Sequence, residues 1–79
     1  MGKLEIEDII LKKKIGERMK FLRLKTGLSQ SEFAKKFDID RQILNRWENE
    51  KNSRGVTIYT IHKFCNMIGI TLAEFFDFE

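Results

Sequence analysis

The sequence predicts an all-α fold: a compact domain of five helices. Three observations predict it. One cap phrase occurs four times: an apolar residue, a Ser, Thr or Asp, three helical positions and a second apolar residue, at Leu28-Ser29 to Phe33, Ile39-Asp40 to Leu44, Val56-Thr57 to Ile61 and Ile70-Thr71 to Phe75. Each is a hydrophobic staple around an N-cap. Gly27 and Gly69 stand where helices would end in the left-handed conformation that glycine accepts. Apolar residues also recur at helical spacing, with no strand-like alternation and no proline.

The chain has 79 residues, 42% hydrophobic and 34% charged, enough for one modest core and too little to enclose an enzyme's deep cleft. Its single cysteine cannot form an internal disulfide. With no leader and no apolar run of membrane-spanning length, a soluble cytoplasmic protein is expected.

The elements follow in order. In "LEIEDIILKKK", Ile6, Ile9 and Ile10 show partial helical spacing, so residues 1–14 form either a separate arm or, as the spacing favours, a backward extension of the first helix. Ile15, Met19 and Leu22 fall at i, i+4 and i+7 and place the first helix at 15–26, ending at Gly27. The caps place the others at 30–37, 41–49, 58–68 and 72–76. Ser29 and Thr71 have Glu32 and Glu74 at the third helical position, which completes two capping boxes. Residues 52–55, "NSRG", are a loop. Residues 15–79 thus form one domain.

Only Asp38, Ile39 and Asp40 separate Phe37 from the third helix, so the second and third helices must meet at a steep angle. Phe33, Ala34, Phe37, Ile39, Leu44 and Trp47 can then converge inward, which leaves Arg41 and Gln42 projecting. The third helix has a peculiar outer face. In "DRQILNRWENEKN", Arg41, Gln42, Asn45, Arg46 and Asn49 gather on one side, where Lys and Glu would solvate an ordinary surface. Arg can fork onto guanine, and Gln or Asn can pair donor and acceptor with adenine, in the DNA major groove. Two roles suit Ile43: contact with a thymine methyl, or a place at the core edge.

The charge distribution agrees with a polyanion partner. Residues 12–54 hold 13 Lys and Arg against 6 Asp and Glu, a net of +7, whereas the flanks hold 2 basic and 6 acidic residues, a net of −4. A merely solvated basic surface would carry the same charge.

On these residues the chain resembles the lambda-repressor and Cro-like (XRE) helix-turn-helix family over about 15–76. The resemblance rests on Gly27-Leu28-Ser29-Gln30, Glu32-Phe33-Ala34, Arg41 opening the third helix, Trp47-Glu48 closing it, and Ile68-Gly69-Ile70. It implies a compact five-helix lambda-repressor-like domain that binds operator DNA, commonly as a homodimer. Carried over by position, it assigns Arg41, Gln42, Ile43, Asn45 and Arg46 to base or groove contacts, and Gln30 and Asn49 to phosphates. A helix N-terminus with free backbone donors suits Gln30 to that task. Lys51 and Arg54 would add cationic phosphate contacts, or are ordinary surface charges. The family pattern also offers Arg23 as the partner of Glu48, which leans to the buried side of the third helix and needs a cation.

Two residues depart from the family pattern. Asp38 stands where Gly is usual and Val56 where Pro is usual, and Asp38 brings a negative charge near the DNA side.

Catalytic chemistry has no support. His62 and Cys65 lie three apart on the fourth helix, but no companion ligands exist for a metal, and Cys65 shares its spacing with Ile58, Ile61 and Ile68, which indicates a buried apolar role. No catalytic residues, metal or cofactor are expected, and no enzyme. At the C-terminus Phe76 and Phe78 cannot both point inward, so an aromatic cluster beside Met67 and Ile70 could form a dimer interface or hold a protein partner. The expected function is sequence-specific binding to double-stranded DNA as a transcriptional regulator, a repressor acting as a homodimer on a palindromic operator. The alternative is an interaction module of the same fold, an antitoxin-like protein or accessory subunit that binds through its aromatic C-terminus or N-terminal arm.

Overall fold

The computed structural model describes residues 2–49 and 56–77, with side chains from Ile6 onward. Lys51, Arg54 and Phe78, and the 52–55 loop, lie outside the described residues. Five helices follow one another: α1 (Gly2–Lys25), α2 (Gln30–Lys36), α3 (Arg41–Glu48), α4 (Ile58–Ile68) and α5 (Leu72–Phe75).

The first helix continues without a break from Gly2 into the domain. Residues 2–14 contain no proline and are rich in Ile, Leu, Glu and Lys, so nothing local interrupts the hydrogen-bond ladder. Its 24 residues run about 36 Å at 1.5 Å each. Ile6, Ile9, Ile10 and Leu11 on this extension are exposed.

Local hydrogen bonds start each later helix. Ser29 and Thr71 accept from the backbone N–H groups of Glu32 and Glu74, whose carboxylates accept in return. The side chain of Asp40 accepts from the Gln42 N–H at 2.8 Å, and Thr57 accepts from the Thr60 N–H at 3.2 Å. Gly27 and Gly69 have φ of 80° and 76°, in the left-handed region. α1, α2, α3 and α5 each stop one residue short of the spans read from spacing, because Thr26, Phe37, Asn49 and Phe76 occupy turns or caps outside the helical run.

The core lies where these helices meet. Met19, Phe33, Leu44, Phe64, Cys65 and Phe75 are fully enclosed, with Ile15, Leu22 and Ile61 beside them. A file of rings joins α2, α4 and α5: Phe33 stacks on Phe64 at 5.7 Å between centroids, and Phe64 meets the edge of Phe75 at 6.1 Å. Each buried ring contributes about 2 to 3 kcal/mol through apolar area removed from water. Phe64 occupies the centre of this file, whereas the spacing of Ile58, Ile61, Cys65 and Ile68 predicts a buried face of α4 that includes Ile58. Ile58, the first residue of α4, is instead 50% exposed. The thiol of Cys65 is pushed above its ordinary value by burial, as an apolar role requires.

Long-range contacts tie the later helices to α1. The Arg18 guanidinium donates to the carbonyls of Phe75 and Glu74 at 2.8 and 2.9 Å, supplying a cation and donors to the C-terminal end of the four-residue α5. Gly16 lies against α3, and a Cβ there would sit 3.2 Å from the Glu48 carbonyl oxygen and 3.4 Å from that of Trp47. Replacing Gly16 by Val is therefore expected to wedge α3 away from α1, costing about 1 to 3 kcal/mol and lowering Tm by roughly 5 to 15 °C. A thermal melt checks this, and an unchanged Tm would show that α3 yields freely.

Candidate nucleic-acid interface

The corner between α2 and α3 is built by backbone geometry. The Ile39 N–H reaches back to the Ala34 carbonyl at 2.9 Å, and Asp38 adopts φ of 54°, a left-handed conformation that Asp tolerates better than most residues. The half-buried Ile39 plugs the corner. Asp38 itself is exposed. Asp40 then caps α3 and launches it from the domain.

One side of α3 goes inward. Leu44 is fully buried and Trp47 is half-buried against the core. On the other side, Arg41, Gln42, Asn45 and Arg46 are exposed. Ile43 is 39% exposed, at the margin of this arc. Asn49, the C-cap, is also exposed.

Beneath the arc lies a charged network. Arg23 Nε donates to Glu48 Oε2 at 2.7 Å and its Nη2 to Glu48 Oε1 at 3.2 Å, a two-pronged pair whose side chains are only 6% and 4% exposed. Arg23 Nη1 also donates to the Leu28 carbonyl at 2.8 Å, so one guanidinium holds the end of α1, the approach to α2 and the end of α3. Such a fork exploits the planar donors of Arg, which Lys could not reproduce.

Gln30 joins this network. Its Nε2 donates to Glu48 Oε1 at 3.0 Å and to Asn45 Oδ1 at 3.3 Å. The amide nitrogen expected from the sequence to face a phosphate is thus directed at α3. Spacing did not reveal this, because Gln30 is 15 residues from Asn45 and 18 from Glu48. The polar character of all three residues was the available signal. At the same helix start, hydrogen bonds from the Ser29 backbone and side chain hold the Glu32 carboxyl below its usual value.

The arrangement is a rigid polar ledge: a short helix fixed from behind, presenting guanidinium and amide groups outward. Residues 19–75 match the helix-turn-helix family. The chain belongs to that family. Within it the chain is of the lambda-repressor and Cro-like (XRE) type, and it is a DNA-binding transcriptional regulator. Control protein C.MunI of Mycoplasma sp is 40% identical over 68 residues, which cover 85% of this chain and 89% of that relative. No solved structure matches the chain. The helix-turn-helix match begins at Met19, so the exposed Ile6, Ile9, Ile10 and Leu11 of α1 lie outside it. Membership points to a DNA-binding regulator rather than an enzyme. No helix among the described residues is long and apolar enough to cross a membrane.

Proposed function

We propose that the chain represses transcription by binding a palindromic operator as a homodimer, with α3 of each copy in the major groove. The observation that carries this reading is the exposed arc of Arg41, Gln42, Asn45 and Arg46 on a helix locked from behind by Arg23 and Glu48. In this reading Arg41, Gln42, Asn45 and Arg46 meet base edges, and Ile43 touches a thymine methyl at the groove margin. Asn49, Lys51 and Arg54 hold phosphates, and at Gln30 that task falls to the backbone N–H of the helix start, since its side-chain amide nitrogen is engaged with α3. The printed name of the relative, control protein, accords with a regulatory role. A cytoplasmic location follows from a DNA partner and a single unpaired cysteine.

Symmetry is the reason for the dimer. A domain of this size reads few bases, whereas a twofold pair reads two half-sites roughly 34 Å apart, one helical turn. The proposed interface is the C-terminal aromatic cluster with the half-buried Met67 and Ile70: Phe76 is 38% exposed, and its ring meets that of Phe75 at a steep angle, 5.0 Å between centroids.

Selection of bound duplexes from a random pool tests specificity and symmetry together. An inverted repeat is the expected product. If the dimer makes roughly 6 to 10 phosphate contacts, affinity for the selected site should fall about a thousandfold or more between 50 and 200 mM salt. A flat salt response would count against a DNA partner.

A second reading is supported by Ile6, Ile9, Ile10 and Leu11, exposed on the α1 extension. These residues suit a protein partner, in an antitoxin-like or accessory role on the same fold.

A further inference from the structure

We infer that the Arg23–Glu48 ion pair sets the hydrogen-bonding polarity of Asn45 through Gln30, so that Asn45 meets DNA as a donor. The inference rests on the proposed reading of DNA by α3 and adds what one of its residues can recognise.

Charge imposes the order of the chain. Both oxygens of Glu48 accept from the Arg23 fork, at 2.7 and 3.2 Å, so Glu48 meets its other neighbours as an acceptor. The end of the Gln30 amide 3.0 Å from Glu48 Oε1 must therefore be its NH2. That same nitrogen lies 3.3 Å from the side chain of Asn45, so the Asn45 atom facing it must be the acceptor, Oδ1. Asn45 is exposed, and with its oxygen turned toward Gln30 the group left for a ligand is the Nδ2 amine.

The consequence for recognition is specific. A free asparagine can pair its oxygen and its nitrogen with the N6 and N7 of adenine. Asn45 holds its oxygen toward Gln30, so the Nδ2 amine is the group it turns to a base, and squaring the whole amide on adenine would pull the oxygen away from Gln30. A donor alone suits guanine, whose N7 and O6 are both acceptors in the major groove, and fails on cytosine, which shows only a donor there. Gln30 is thus a positioning residue: it shapes specificity at one base without touching that base.

The test is selection from a random duplex pool with the wild-type protein, Gln30→Leu and Asn45→Asp. In the wild type, one position of each half-site should favour guanine over cytosine by roughly tenfold or more. Gln30→Leu frees the Asn45 amide to rotate, and that position alone should move from guanine toward adenine, the other positions keeping their preferences. Asn45→Asp keeps an acceptor toward Gln30 and turns the outward group into an acceptor, so the preference should move toward cytosine. An equal loss of affinity for all sequences in Gln30→Leu would mean that Gln30 serves a phosphate only, and would overturn the inference. So would unchanged preferences in either variant.

The DNA-free protein gives an independent readout. The side-chain amide resonances of Asn45 should shift in Gln30→Leu, and an absent shift refutes the hydrogen-bond chain itself. A wild type that selects no sequence overturns both the DNA reading and the inference built on it. A shifted Asn45 resonance in that case would trace the failure to the DNA reading.

Discussion

Replacing Glu48 by Ala should destabilise the domain by about 3 to 5 kcal/mol, the usual cost of leaving one member of a buried ion pair without its partner. The reason is the position of Arg23, which is 5% exposed and has two of its donors aimed at the lost carboxylate. Its bond to the Leu28 carbonyl would survive, but a single neutral acceptor cannot replace an anion. For a domain of this size the loss is comparable to the whole folding free energy, and Tm should fall by roughly 15 °C or more. Differential scanning calorimetry measures it, and an unaltered Tm would show that the pair does no structural work. The paired replacement Arg23→Met with Glu48→Leu removes both charges together and should recover much of the loss, because packed apolar residues often substitute for a buried pair at little cost.

The second large effect is on binding. Replacing Arg41 and Gln42 together by Ala should weaken binding to the selected operator on the order of 100-fold or more, each bidentate base contact being worth about 1 to 3 kcal/mol. Both side chains are exposed, so stability should change by no more than about 0.5 kcal/mol. Fluorescence anisotropy at fixed salt, paired with a thermal melt, separates the two quantities. Retention of wild-type affinity in a folded variant would remove α3 from the groove. The same variant distinguishes the interaction-module reading, in which a partner held by Ile6, Ile9, Ile10 and Leu11 stays bound after Arg41 and Gln42 are gone.

Each effect belongs to a group of residues that act together. In the first, Arg23, Glu48 and the close approach of Gly16 hold α3 in place together. In the second, Arg41 and Gln42 act with Asn45 and Arg46, whose contributions in one contiguous site will not add independently.

Much of this organisation was legible beforehand because it is written in hydrogen bonds that span two to four residues. A Ser, Thr or Asp beside an apolar residue and ahead of a helical run satisfies backbone donors within its own turn, so Ser29, Asp40, Thr57 and Thr71 mark helix starts wherever they are placed in space. The outward arc of α3 was readable for a similar reason. Helical periodicity assigns Leu44 to one side and Arg41, Gln42, Asn45 and Arg46 to the other without knowledge of what lies opposite.

Other features depend on which surfaces come together. Ile58 and Phe64 both lie on an apolar helix, and only the docking of α4 over Phe33 and Phe75 makes Phe64 central and leaves Ile58 in solvent. The direction of the Gln30 amide is of the same kind, since its partners belong to another helix and one of them is forked by an arginine on a third. Likewise the closeness of Gly16 to α3 follows from the crossing of two backbones and from nothing in the residues around it.

The amino-acid order alone thus determined where α2 to α5 begin and which side of α3 faces outward, because these depend on contacts within one or two turns. The tertiary structure decided which apolar residues form the centre and which polar atoms remain free to bind. Packing and buried charge couple residues far apart in the chain, and a buried carboxylate dictates the orientation of every amide that hydrogen-bonds in sequence from it.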